Sequence, residues 1–277
     1  MALQLDLFAV LHADRVSIVH RELEKRVTET DSDAVFIEYP ERRLTAVEWV
    51  TAFLQRPLVV TGFMIYALLF FPISALISRT TLPSEAGAAR TLGEETNIPI
   101  HDIDPHASIF LFPGGILTIA LNWIALLAVA FVFSPVRTGT TVGVVIVTYA
   151  VVRASAQLSQ RLAAALSIPT FLFFFLAQIT IGSFPTLVLA GIAILWSLYT
   201  TVNERNAAML ERAREVATAN GYDRVVFITG QTHVSGLRDR VSNNSDLEIR
   251  TIWSRRPLRS GVLARSAENT TQVSQEN

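Results

Sequence analysis

Two histidines and a group of carboxylates close short apolar runs in this sequence. His12 follows Leu5–Leu11, and Glu38 follows Ala34–Ile37. Asp102 and Asp104 end the run from Ile98 to Ile103, and His233 stands in the loop Gly230-Gln231-Thr232-His233 after Arg224–Thr229. Each run has the length and the strand-forming residues of a buried parallel strand. Ligands of an open parallel sheet bind outside the carboxyl ends of its strands, so these side chains are expected to converge on one edge. Two imidazoles with several carboxylates suit a borderline divalent cation. They equally suit a metal-free His/Glu acid–base pair.

The other histidines have simpler readings. His20 shares a helical face with Val16, Leu23 and Val27, which makes it a core or boundary residue. His101 alternates away from Asp102 along its strand and reads as structural. His106 reads as a loop residue close behind Asp104. The chain has no cysteine, which removes disulfides, thiol nucleophiles and cysteine-ligated metals.

The elements that must position these groups alternate. An amphipathic helix is predicted from Asp14 to Glu29, a turn at Asp31-Ser32-Asp33, a helix from Pro83-Ser84 to about Glu95, and a polar helix from Glu204 to Ala219 stopped by Asn220-Gly221. A fifth strand is expected over Leu247–Trp253. Alternation of this kind predicts a parallel sheet covered by helices.

Composition adds a membrane. Of the 277 residues, 51% are hydrophobic and 17% charged, too apolar for an ordinary soluble domain and too charged for a pure membrane bundle. Between Phe110 and Val202 the charges are Arg137, Arg153 and Arg161 alone. Four spans are predicted, over 110–133, about 138–152, about 162–181 and 184–202, judged against a hydrocarbon core of about 30 Å. Leu58–Ile77 is long enough for a fifth. One crossing there would separate Glu38 from Asp102, so a helical hairpin bent near Pro72 is expected instead. The net charge of −1 gives no basic field for nucleic acid. Lysine occurs once, at Lys25, among 23 Lys and Arg residues, and the start Met1-Ala2-Leu3-Gln4-Leu5-Asp6 lacks the pattern of a signal peptide. With the arginine placement, this predicts a multi-pass protein of the cell membrane whose soluble domain is cytoplasmic. Asn122 and Gln178 lie inside spans and read as interhelical hydrogen-bonding groups.

The segment Asp31–Leu44 resembles the "PDVVAVELD-x-x-R" stretch of TraB/PrgY-type proteins, which belong with the Tiki, GumN and erythromycin-esterase-like superfamily. Glu94–Asp104 is similar to the family's "G-A-x-I-V-L-I-D-R-D-I", Asn203–Met209 to its "E-R-N/D-x-x-M" helix, and Gly230–Leu237 to "G-A-G-H-V-x-G-I". The motifs occur in the family's order and cover nearly all of the soluble sequence. Ala9 stands where the family has glycine, Leu11 at a normally small position, and Ile103 where it has arginine.

The resemblance, together with the apolar spans and the polar end of the chain, predicts a TraB-like α/β domain split around a transmembrane bundle of about four spans. Its first part is 1–108, with the apolar stretch 57–78 inside it. The bundle covers 109–203, the second part of the domain 204–253, and a mobile tail 254–277. It implies a membrane-anchored hydrolase for a peptide or small ester, metal-dependent in some members and metal-free in others. Carried over, His12, Glu38 and His233 bind a divalent metal or act as acid–base groups. Asp102 supports them, and Arg43 or Arg205 stabilises oxyanion charge. The departures at Ala9, Leu11 and Ile103 leave open a non-enzymatic membrane regulator or peptide-binding protein. A small-molecule transporter rests on the spans alone.

Overall fold

The computed structural model describes residues 2–12, 14–104, 111, 115–181 and 184–254. His106 and the tail from residue 255 lie outside these residues, as does the start of the first predicted span.

Five parallel strands form one sheet: β1 (Leu3–Val10), β2 (Ala34–Pro40), β3 (Ile100–Asp104), β4 (Arg224–Gly230) and β5 (Leu247–Ser254), in the order β3-β2-β4-β1-β5. The central strands β2, β4 and β1 end side by side, with Val10 level with Gly230 and Ile37 level with Ile228. Strand pleating then sorts the side chains onto two faces. Leu5, Leu7, Phe36 and Phe227 pack on one face against helices from the second half of the chain. Val35, Ile37, Val226 and Ile228 pack on the other, against α1 (Val16–Thr30) and α4 (Ser84–Thr96). The α/β architecture read from the sequence is therefore present.

Between β2 and β3 the chain makes an apolar excursion through α2 (Ala46–Gln55) and α3 (Pro57–Ser78). The expected bend at Pro72 is corrected: Pro72 lies inside a continuous 22-residue helix, and the reversal falls at Arg56-Pro57. Pro57 occupies the first turn of α3, where its missing N–H costs nothing. Trp49 and Phe63, on either side of the break, pack at a tilt with centroids 5.8 Å apart, so α2 folds back on α3. At its far end α3 returns to the sheet, where Ser78 Oγ donates to the carbonyl of Asp14. The excursion therefore begins and ends on the same side. A capping box, Thr45 with Glu48, opens α2.

The remaining apolar helices are α5 (Ile116–Phe133), α6 (Pro135–Leu158), α7 (Gln160–Ile181) and α8 (Phe184–Asn220). With α3 they make five helices long and apolar enough to cross a membrane among the described residues. The helix at the expected short second span is a full 24 residues, and the expected fourth span and the polar helix after it form one continuous helix of 37 residues. The first half of α8 packs in the bundle through Ile194, and the second half covers the sheet through Met209 and Ala213. One continuous helix thus joins the bundle to the sheet.

Several polar groups inside the bundle are paired with neighbouring helices. Asn122 Oδ1 accepts from the Val59 backbone N–H at 3.4 Å, and the Trp123 indole N–H donates to the Leu54 carbonyl at 2.8 Å. These are backbone groups near the break between α2 and α3. Thr141 Oγ1 donates to Gln178 Oε1 at 3.2 Å, which agrees with the interhelical role expected for both amides.

Candidate active site

The break between helices and sheet leaves a cavity of about 740 Å³ over the carboxyl ends of the central strands. His12, Glu38, Glu85, Asp104, Arg205 and His233 line its floor. Helices α3, α6 and α8 supply apolar and aromatic walls, among them Phe70, Tyr149 and Leu198.

Glu38 is the hub. It is buried at the end of β2, and each oxygen serves two donors. Oε1 lies 3.0 Å from His233 Nε2 and 3.0 Å from an Arg205 guanidinium nitrogen. Oε2 accepts from Thr229 Oγ1 at 2.7 Å and from the Gly230 N–H at 2.8 Å. Burial alone would raise its pKa. The hydrogen bond and charge of His233, then the charges of His12 and Arg205, outweigh that and hold Glu38 well below the usual carboxylate range.

Arg205 is shared. It also meets Asp104 through two hydrogen bonds, at 2.9 and 3.3 Å. Burial pushes Asp104 up to about 6 against the pull of that guanidinium. On its far side, His233 places Nδ1 2.6 Å from Asn206 Oδ1. Asn206 gets this close because residue 236 is glycine: a Cβ there would lie 2.1 Å from the Asn206 amide nitrogen.

His12 belongs to a second pair. Its Nδ1 lies 2.5 Å from Oε1 of Glu85, a fully buried carboxylate in the first turn of α4. Ser84 docks that turn on the end of β1, donating its hydroxyl to the Leu11 carbonyl and its N–H to the His12 carbonyl. The charge of Glu85 outweighs burial and raises His12 to about 10. The opposite ring edge lies over Gly230, where a Cβ would stand 3.0 Å from Nε2. Gly230 thus lets the imidazole sit against the strand end, with Nε2 turned away from Glu85.

The predicted site residues do not all meet. His12, Glu38, His233 and Arg205 share the floor, and Arg43 lies exposed at the rim. Asp102 does not reach it. In register it stands level with Ile37, short of the strand ends, and its nearest cation is Arg90 at 3.7 Å. Asp104, two residues on, takes its place. His20 pairs with Glu95 at 3.0 Å away from the cavity, and His101 meets Tyr222 at 3.2 Å. Glu85 and Asn206 were not among the expected site residues. A first-turn glutamate reads as an ordinary dipole partner, and the signal available for Asn206 was its place directly after Arg205.

The donor set fits a metal poorly. Both oxygens of Glu38 and both nitrogens of His233 are already engaged, and a cation at the expected triad would have to displace Arg205. Among the described residues, no group of three His, Asp or Glu side chains could hold an ion.

Neither a protein-family model nor a curated protein matches the chain. The TraB-like resemblance therefore rests on its four ordered motifs. The departures from the family pattern lie off the cavity: Ala9 and Ile103 are buried in the hydrophobic core, and Leu11 is partly exposed outside the lining.

Proposed function

We propose that this chain is a membrane-embedded, TraB-like hydrolase that cleaves an ester or peptide bond in the cavity between its helices and its sheet. The observation that carries this reading is the His12–Glu85 pair. Glu85 holds Nδ1 and so fixes the ring, leaving Nε2 as the nitrogen that takes a proton from an attacking water. The water attacks the substrate carbonyl, and His12 returns the proton to the leaving group. Arg205, steadied by Asp104 and Glu38, supplies positive charge beside the developing oxyanion. Glu38 serves as the hub that orients Arg205 and His233.

In the proposed topology α5 to α8 cross the bilayer and α2–α3 enters and leaves from one side. The α/β domain then faces the cytoplasm. Arg79, Arg153, Arg161 and Arg205 cluster on the domain side, against Arg137 at the far end, which is the expected bias.

A second reading, a non-enzymatic regulator, draws on the saturation of Glu38 by internal donors. Turnover separates the two. The hydrolase reading predicts that protein in nanodiscs cleaves members of a panel of acyl esters and peptides, and that His12→Asn lowers the rate by about 100-fold or more. Specific binding of the same compounds without turnover would favour the regulator.

A further inference from the structure

The cavity is not sealed by the bundle. Tyr66 on α3 and Tyr199 on α8 both line it, yet they are 44% and 78% exposed. Each stands in an exposed apolar stripe, Tyr66 with Leu69 and Ile73, Tyr199 with Leu195 and Trp196. The cavity therefore reaches the outer apolar surface between α3 and α8, where an embedded bundle meets acyl chains. Its volume of about 740 Å³ falls in the range of small-molecule sites, about 300–1,000 Å³.

The polar end carries unbalanced charge. Arg205 is offset by Glu38 and Asp104, and His12 by Glu85. Arg43 and Arg153 also line the cavity, and neither makes an ion pair with a described residue. Two arginines without carboxylate partners in the lining of an apolar chamber match a carboxylate or phosphate at the end of a hydrocarbon chain.

We propose that the site takes an acyl-chain amphiphile with an anionic head, which enters sideways from the bilayer between Tyr66 and Tyr199 and sets its head on Arg43 and Arg153. The cleavage of that ligand rests on the hydrolase reading; its binding does not.

The test uses the full chain in zwitterionic nanodiscs, with Trp123, Trp196 and Trp253 replaced by Phe so that Trp49, which lines the cavity, is the single tryptophan. Quenching of Trp49 is titrated with a brominated long-chain carboxylic acid, with its methyl ester, and with a brominated alkyl phosphate. The expected result is saturable quenching by both anions, about tenfold or more tighter than by the ester, the scale of one hydrogen bond to a charged group. Arg43→Gln with Arg153→Gln removes that preference. Ala67→Phe, or Ala156→Phe where the first variant folds poorly, removes the quenching itself. Preference for the acid over the phosphate, or the reverse, identifies a free fatty acid or a phosphate-headed lipid as the source. Quenching that is unsaturable, or equal for acid and ester, overturns the proposal. These anions carry no ester or amide bond, so the hydrolase reading stands or falls on the ester and peptide panel; absence of turnover there overturns that reading and leaves this one standing.

Discussion

Oε1 of Glu85 lies 2.5 Å from Nδ1 of His12, so a carboxylate from α4 controls the imidazole at the end of β1. This contact sets the pH response. Glu85 is the largest cause of the rise of His12 to about 10, so Glu85→Gln moves the imidazole down toward its ordinary value near 6.5. If His12 is the base, wild-type turnover climbs through the alkaline range, and the variant's rising limb shifts to lower pH with a reduced plateau. NMR titration of labelled histidine reads the same shift without substrate. The pair also stabilises the fold below the ordinary pKa, and that contribution is lost as pH rises through about 10.

Glu38 gives the opposite pH signature. Its folded pKa is depressed, so its contribution is present above the ordinary carboxylate value and lost as pH falls through the folded one. Glu38→Gln leaves Arg205 and His233 facing a neutral group in a buried site, at a cost of about 3 kcal/mol near neutral pH. Thermal unfolding in detergent should show a gap between wild type and variant that narrows as the medium is acidified toward the folded pKa.

Gly236→Ala tests the support behind His233. The new methyl would lie 2.1 Å from the Asn206 amide, which must move and release Nδ1 of His233. The expected result is a modest stability loss of about 1–3 kcal/mol and a larger fall in kcat than in substrate affinity. An unchanged kcat would mean that Asn206 does not position His233.

In the bundle, Gly62 meets α8 so closely that a Cβ would lie 2.1 Å from the Ala190 carbonyl oxygen. Gly62→Val should separate α3 from α8 and lower the thermal midpoint sharply, whereas Gly191→Val, which meets nothing within 4 Å, should leave it unchanged.

The proposed topology is testable because the chain has no native cysteine. Ser134→Cys, between α5 and α6, should react with a membrane-impermeant maleimide on intact cells. Ser159→Cys, between α6 and α7, should react only after permeabilisation. The reverse pattern would place the site on the outer face.

Much of this arrangement is legible from residue types. Apolar runs such as Ala34–Ile37 and Arg224–Thr229 end in Glu38 and in the loop of His233, and parallel pairing brings such ends together without further information. Asp102 falls short of the site because register, rather than composition, decides which of two alternating aspartates reaches past the sheet: Asp102 is level with Ile37, and Asp104 lies beyond it. Glu85 was hidden because its proximity to His12 arises from the docking of Ser84 on β1, a contact across 73 residues. The position of the hairpin is written in Thr45-x-x-Glu48 and Pro57, which mark a helix end to end and fix the reversal at Arg56.

The central claim is that His12, held by Glu85, performs hydrolysis by acid–base chemistry. Its most direct test is turnover of chelator-treated protein in nanodiscs on an acyl ester, with His12→Asn beside it. The account predicts turnover that survives chelation and is lost in His12→Asn. Turnover that persists in the variant, or that returns only with an added divalent cation, would contradict it.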